Sequence, residues 1–336
     1  MRRFAILVAL PLLFLASVCG AQNLSGQPSY AAGFSRLPVE TAEGAFDMFI
    51  WYPTSVAEEP WQAGPFTISA TRGAAPVKDR RFPVVLFSHG SGGTPLSHRN
   101  LAAMLARAGY IVVAPLHVGD AAGHPRLADK PKVLSLRPRQ ATAALEAFLQ
   151  NARFAPFIDA ERIGMIGYSA GGYTALVLAG AHPNFQQAIA YCATEGRSDI
   201  GSCGQARDRP PQPAARNDAA LPQTNIRLKA VVLMDPLGML FDQAGLAALT
   251  MPILMMRPQD DSYLRAAPNA LELVRNLPKR PQETVVEGAH FVFIDPCPEV
   301  VRAEAALICE DAPTVDRVKI HVDIERDVRD FLGVHL

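Results

Sequence analysis

The sequence is poor in the features that would assign it elsewhere. It has only five cysteines and two tryptophans in 336 residues, and no C-x-x-C spacing, so a structural zinc module is excluded as the organising principle. Neither charge sign is in excess: 32 basic residues stand against 32 acidic ones. No long block of one sign interrupts the chain, which argues against a nucleic-acid or membrane-surface partner. No internal repeat is visible, so a solenoid or propeller is excluded. The single long apolar run, Phe4 to Val18, is shorter than the roughly 20 residues a transmembrane helix needs.

That run follows Met1-Arg2-Arg3 and precedes the small residues Cys19-Gly20-Ala21. This is the charged, apolar, small-residue order of a secretory signal peptide. We therefore expect residues 1–21 to be removed, residues 22–336 to form one domain, and the mature chain to be secreted or periplasmic. Cys19 would leave with the signal. The remaining four cysteines fall as two local pairs, Cys192 with Cys203 and Cys297 with Cys309, and an even count in an exported chain favours disulfides. Proximity selects these pairs among the three connectivities that four cysteines permit.

From Pro83 onward, short apolar runs alternate with helical patterns. Strands are expected at Pro83 to Ser88, Tyr110 to Ala114, Arg162 to Gly167, Ala230 to Met234, Ile253 to Met256 and Glu283 to Val286. Helices are expected at Asn100 to Ala108, Arg139 to Asn151, from the turn at Tyr168 to Ala181, and Val318 to Phe331. Such alternation predicts an α/β fold with a mostly parallel central sheet and helices on both faces. Trp61 to Asp79, rich in Gly, Pro and Ala, reads as a loop. Residues 192–225 are long, proline-rich and carry Arg197, Arg207, Arg209 and Arg216. Lying after the third of these strands, they read either as a lid over a site or as a surface excursion pinned by a disulfide.

The chemistry concentrates at three points. Gly167-Tyr168-Ser169-Ala170-Gly171 is a G-x-S-x-G sequence between an expected strand and an expected helix. This context identifies a nucleophile elbow, in which a tight turn tolerates only small flanking residues and leaves the serine pointing out of the sheet. Ser88-His89-Gly90-Ser91-Gly92-Gly93 follows an earlier strand, where this architecture completes its oxyanion hole. The backbone amides of Ser91 and Ala170 are the candidate donors. His290 follows the last expected strand, which gives the chain order serine, acid, histidine and makes His290 the candidate general base. His89 and His117 are expected to be wall residues, and the other histidines surface or packing residues.

Two strands end in aspartate. Asp235 directly follows Ala230 to Met234, whereas Asp260-Asp261 follow Ile253 to Met256 through three further residues. Either strand end can deliver a carboxylate to the histidine. Asp261 is the preferred acid because a loop gives it reach, Asp235 is the alternative, and Asp260 comes third.

These residues resemble the predicted dienelactone-hydrolase family of α/β-hydrolases, related to platelet-activating-factor acetylhydrolases and cutinase-like polyesterases. The likeness runs from about Phe82 to the C-terminus. It is carried by Ser88-His89-Gly90, Gly167-Tyr168-Ser169-Ala170-Gly171-Gly172, Asp235-Pro236 and Gly288-Ala289-His290-Phe291. It matches Asp261 with the acid of the polyesterases and Asp235 with that of the acetylhydrolases, so both stay open. Tyr168 stands where many relatives have histidine, Ser91 replaces an aromatic or apolar residue of the polyesterases, and true dienelactone hydrolases use a cysteine nucleophile. The resemblance implies cleavage of a small-molecule ester through an acyl-enzyme, without metal or organic cofactor; no stable membrane partner is expected, and the chain is expected to be a monomer. The alternatives are a serine peptidase or acyl-peptide hydrolase, since Gly-Tyr-Ser-Ala-Gly-Gly-Tyr also resembles prolyl-oligopeptidase turns, and a non-catalytic binding protein on the same fold.

Overall fold

The computed structural model describes residues 30–204 and 226–336. The expected signal peptide and the part of the 192–225 insertion beyond Gly204 lie outside the described residues.

Nine strands form one sheet in the order β11-β10-β9-β8-β6-β7-β2-β1-β5. They are β1 (Ala31–Thr41), β2 (Gly44–Thr54), β5 (Thr71–Arg72), β6 (Phe82–Ser88), β7 (Ile111–Pro115), β8 (Ile158–Tyr168), β9 (Leu228–Met234), β10 (Ile253–Pro258) and β11 (Gln282–Val286); β3 (Trp61–Ala63) and β4 (Phe66–Ile68) make a separate hairpin. The six strands from β11 to β7 run parallel, whereas β2 joins β7 antiparallel and pairs antiparallel with β1. β6 is buried along its whole length. It reads as a continuous apolar run because both faces of a parallel sheet are covered.

The covering helices are α1 (Arg99–Arg107), α2 (Lys130–Leu149), α3 (Ala170–Leu178), α4 (Phe185–Ala193), α5 (Ile200–Cys203), α6 (Gln243–Leu246), α7 (Ala270–Asn276), α8 (Glu299–Arg302), α9 (Ala306–Cys309) and α10 (Arg317–His335). One core joins Phe148 of α2, Leu176 of α3 and Leu273 of α7 to Val84, Met165 and Leu233 on one sheet face. The other joins Leu105 of α1 and Val328 and Phe331 of α10 to Val85, Ile166 and Val232 on the opposite face. Alternate residues of each strand thus feed different cores, as the period of two requires. This is the expected α/β-hydrolase architecture.

The differences from the sequence reading are local. The N-terminal ribbon β1–β2 was not anticipated, and Trp61 to Asp79 contains the β3–β4 hairpin and β5 rather than loop alone. Helix α2 begins nine residues before the expected Arg139. Asp129 caps it by accepting from the Lys132 amide, Pro131 fits the first turn, and Pro138 sits inside the helix. An interior proline reads as a break in sequence, which is why the helix looked shorter. Both expected disulfides, Cys192–Cys203 and Cys297–Cys309, are formed. Among the described residues no helix is long and apolar enough to cross a membrane.

Candidate active site

Strand β8 delivers Ser169 at its carboxyl end, directly before α3. The serine has φ 54° and ψ −118°, a conformation that costs a non-glycine residue of order 1–3 kcal/mol and persists only where its surroundings enforce it. The enforcement is visible. The Ser169 amide donates to the Met234 carbonyl at 3.0 Å, and the Ser169 carbonyl accepts from Leu237 at 3.0 Å and from Gly172 at 2.8 Å. The elbow packs so closely on the end of β6 that a Cβ on Gly171 would run into the Ser88 carbonyl. A Cβ on Gly90 would lie 3.3 Å from that of Ser169 and against the Tyr168 ring. The glycine-rich loop after β6 therefore abuts the nucleophile candidate, as the sequence required.

His290 opens a short 3-10 turn (His290–Phe293) after β11 and is 2% exposed. Its Nδ1 lies 2.5 Å from Oδ2 of Asp235. A carboxylate there accepts, so Nδ1 carries the hydrogen and Nε2 is left with its lone pair. The Tyr168 hydroxyl donates to the His290 carbonyl at 3.0 Å, and the Tyr263 ring stacks on the imidazole at 4.8 Å. His290 is held by the residue next to Ser169 on one side and covered by an aromatic on the other.

Asp235, fully buried, stands at the end of β9 with φ 40°. Its amide donates to Met256 at 2.7 Å, which locks it to β10. Burial pushes its carboxyl above the usual range, an effect opposed by the hydrogen bond from His290. The hydrogen bond from His290 and the nearby Arg257 charge favour the ionised carboxylate there.

The preference for Asp261 is corrected here. Asp261 is exposed, and its Oδ2 accepts from the Ala266 amide at 3.0 Å, while Asp260 accepts from the Ser262 amide at 2.9 Å. Both aspartates fold their own loop, the ordinary use of aspartate in turns. Reach was the wrong criterion: the turn at Asp235 aims a short side chain off the strand end without needing a loop.

Ser91 lies in the glycine-rich loop after β6, and Ala170 directly follows Ser169. Ala170 is the first residue of α3, whose amide has no intrahelical partner. Among the described residues neither its amide nor that of Ser91 donates within the chain. Behind them sit His89 and His117, both buried. The His117 amide donates to His89 Nε2 at 3.2 Å, so His89 Nδ1 carries the hydrogen and donates to the Gly90 carbonyl at 2.8 Å. Burial, reinforced by the Arg137 charge, pushes His89 down to about 3. It stays neutral and acts as a wall, as expected.

The sequence reading missed Tyr263, the hydroxyl contact of Tyr168, and the buried Arg137 and Asp120. No motif marks them. The one available signal was the Gly119-Asp120 turn shortly after β7.

The dienelactone hydrolase family matches residues 70–218, the span that carries the glycine-rich loop, Asp120, Arg137 and the nucleophile elbow. Over that span the chain is similar to the dienelactone hydrolase family. It is a hydrolase of the α/β-hydrolase fold. A ferulic acid esterase from Streptomyces cinnamoneus is similar over 93% of this chain and 91% of its own, with 18% identity and a TM-score of 0.60. A dienelactone hydrolase from Anabaena variabilis covers 91% of this chain and 100% of its own, with 15% identity and a TM-score of 0.49. No curated protein sequence matches the chain. Identities this low speak to the fold and not to the substrate.

Proposed function

We propose that this chain is an exported serine esterase that cleaves small carboxylic esters through an acyl-enzyme. The observation that carries the reading is the Asp235–His290 contact at 2.5 Å, made by two residues whose backbones are tied to the strained Ser169 elbow through Met234, Leu237 and Tyr168.

In this reading Ser169 Oγ forms a bond to the ester carbonyl carbon as its proton passes to His290 Nε2. The carbonyl π pair moves to oxygen, where the Ser91 and Ala170 amides receive it. Asp235 fixes the imidazole tautomer and balances the imidazolium. Collapse of the intermediate breaks the bond to the alcohol oxygen, which takes the proton from His290. Water, activated by the same imidazole, then releases the acid. Two disulfides fit an oxidising compartment, and the N-terminal pattern supports export.

The test is hydrolysis of short p-nitrophenyl esters together with labelling by a fluorophosphonate. Ser169→Ala is expected to lose both turnover and label while remaining folded, with kcat down by about 10⁴-fold or more. Undiminished turnover in that variant would end the proposal, and a wild-type chain that neither labels nor hydrolyses would favour a binding protein on the same fold.

A further inference from the structure

One buried ion pair touches both halves of the oxyanion site, and the chemistry described above does not use it. Arg137 of α2 is 1% exposed, and Asp120, in the loop after β7, is 3% exposed. Arg137 Nη1 donates to Asp120 Oδ2 at 2.5 Å. The other carboxylate oxygen, Oδ1, accepts from the Ser91 hydroxyl at 2.7 Å, and the Asp120 carbonyl accepts from the Gly92 amide at 2.9 Å. Arg137 Nη2 donates to the His89 carbonyl, two residues before the Ser91 amide. On the opposite side, Arg137 Nε donates to Thr174 Oγ1 at 3.3 Å, and that hydroxyl donates to the Ala170 carbonyl at 3.0 Å. The exposed Arg126 closes the network from outside, 3.3 Å from Ser91 Oγ and 3.5 Å from Asp120 Oδ1.

We propose that Arg137 and Asp120 are positioning residues that set the spacing of the two oxyanion donors, Ser91 through Asp120 and Ala170 through Thr174. The inference rests on the esterase reading and adds to it a cause for the serine at position 91. The physical argument is geometric. The two amides come from different elements, a loop after β6 and the first turn of α3, so nothing in either element alone fixes their separation. A guanidinium is planar and presents five donors in a rigid fork. Here that fork spans both elements, and the low polarity around it stiffens each bond. A tetrahedral oxyanion needs donors 2.7–3.1 Å from its final position, and a misplacement of about 1 Å costs of order 10²-fold in rate. A buried ion pair is weak evidence for stability, but this one grips the His89 carbonyl on one side and, through the Thr174 hydroxyl, the Ala170 carbonyl on the other.

The experiment measures kcat per active site, titrated with fluorophosphonate, alongside KM and inhibition by an aryl trifluoromethyl ketone. That ketone takes a bond from Ser169 Oγ and places a tetrahedral oxyanion in the hole. Arg137→Lys keeps the charge and loses the fork. It is expected to lower kcat about ten- to hundred-fold, with KM within about two-fold, and to weaken ketone inhibition by the same factor as kcat/KM. A residue with a merely structural role would lower thermal stability and leave kcat per titrated site intact. Should Arg137→Lys fail to fold, the exposed Ser91 carries the test. Ser91→Ala removes the link to Asp120 and should lose about five- to ten-fold in kcat by the same reasoning, whereas Ser91→Thr retains the hydroxyl and should restore it. Wild-type kcat and ketone affinity in both Arg137→Lys and Ser91→Ala would overturn the inference, while Ser169→Ala still inactive would leave the esterase reading standing. Turnover by Ser169→Ala would remove both.

Discussion

At the scale of the residue, the proposed function turns on which carboxylate faces His290. Asp235 reaches it by a left-handed φ of 40° at the end of β9, whereas Asp261 spends its carboxylate on the Ala266 amide. Asp235→Asn should therefore lower kcat by about 10³- to 10⁴-fold, because an amide can present the wrong group to Nδ1 and select the wrong tautomer. Asp261→Asn should stay within about two-fold, since its asparagine still accepts from a backbone amide. Steady-state kinetics on one ester decides this, and the reverse ranking would return the role to Asp261. None of this was legible locally: both aspartates follow apolar strands, and sequence carries no record of the dihedral angle that separates them. The placement of Ser169 on a strand–turn–helix and of His290 after the last strand, by contrast, was legible, because the flanking glycines and the strand pattern mark both positions.

At the scale of the element, the elbow depends on the close approach of α3 to the end of β6. A Cβ on Gly171 would run into the carbonyls of Ser88 and His89, so any side chain must push the helix away from the strand. Gly171→Ala is expected to destabilise the protein by roughly 1–3 kcal/mol, measured as a lower urea midpoint, and to reduce kcat in the fraction that remains folded. A midpoint equal to that of wild type would mean the strand and helix separate more readily than their packing implies. The parallel strands and α3 were readable as continuous apolar runs, and α1 and α10 by their apolar period. Helix α2 was half hidden by Pro138, and the ribbon β1–β2 was missed because its polar residues and the turn at Glu43-Gly44 break the apolar run. The segment of α4 and α5 was readable only as a disulfide. In the structure its Ser202 accepts from Asn269 at 2.9 Å and Gly201 donates to the Tyr263 carbonyl at 2.8 Å, which ties Cys192–Cys203 to the aromatic that covers His290.

At the scale of the whole molecule, buried titratable groups set the acid limit of stability. Burial pushes His89 and His98 down to about 3 and His321 to about 4, and holds His117 well below its ordinary value. Burial also pushes Asp295 up to about 7 and raises Asp235 and Glu325. Near pH 5 the unfolded chain binds a proton on each of the four histidines that the native state does not. The raised carboxyls act in the opposite sense, because there the native state holds the proton. Four histidines outweigh them, so stability is expected to rise with pH between about 4 and 6.5, the ordinary histidine value, and to fall again on acidification. Urea midpoints at pH 5 and pH 7 test the sign: a higher midpoint at pH 5 would mean that the histidines are protonated in the folded state.

The amino-acid sequence by itself determined the alternating apolar runs that make a doubly covered parallel sheet, the glycines that let a serine stand on a strained turn, the cysteine pairs, and the order in which the proposed nucleophile and base arrive. Those are local properties, written in period and residue type. Only the tertiary structure decided that Asp235 rather than Asp261 meets the imidazole, and that Arg137 joins the two oxyanion elements. Such contacts join residues 55 and 48 positions apart in the chain, and their selection depends on dihedral angles and packing that come into being only when the sheet closes around them.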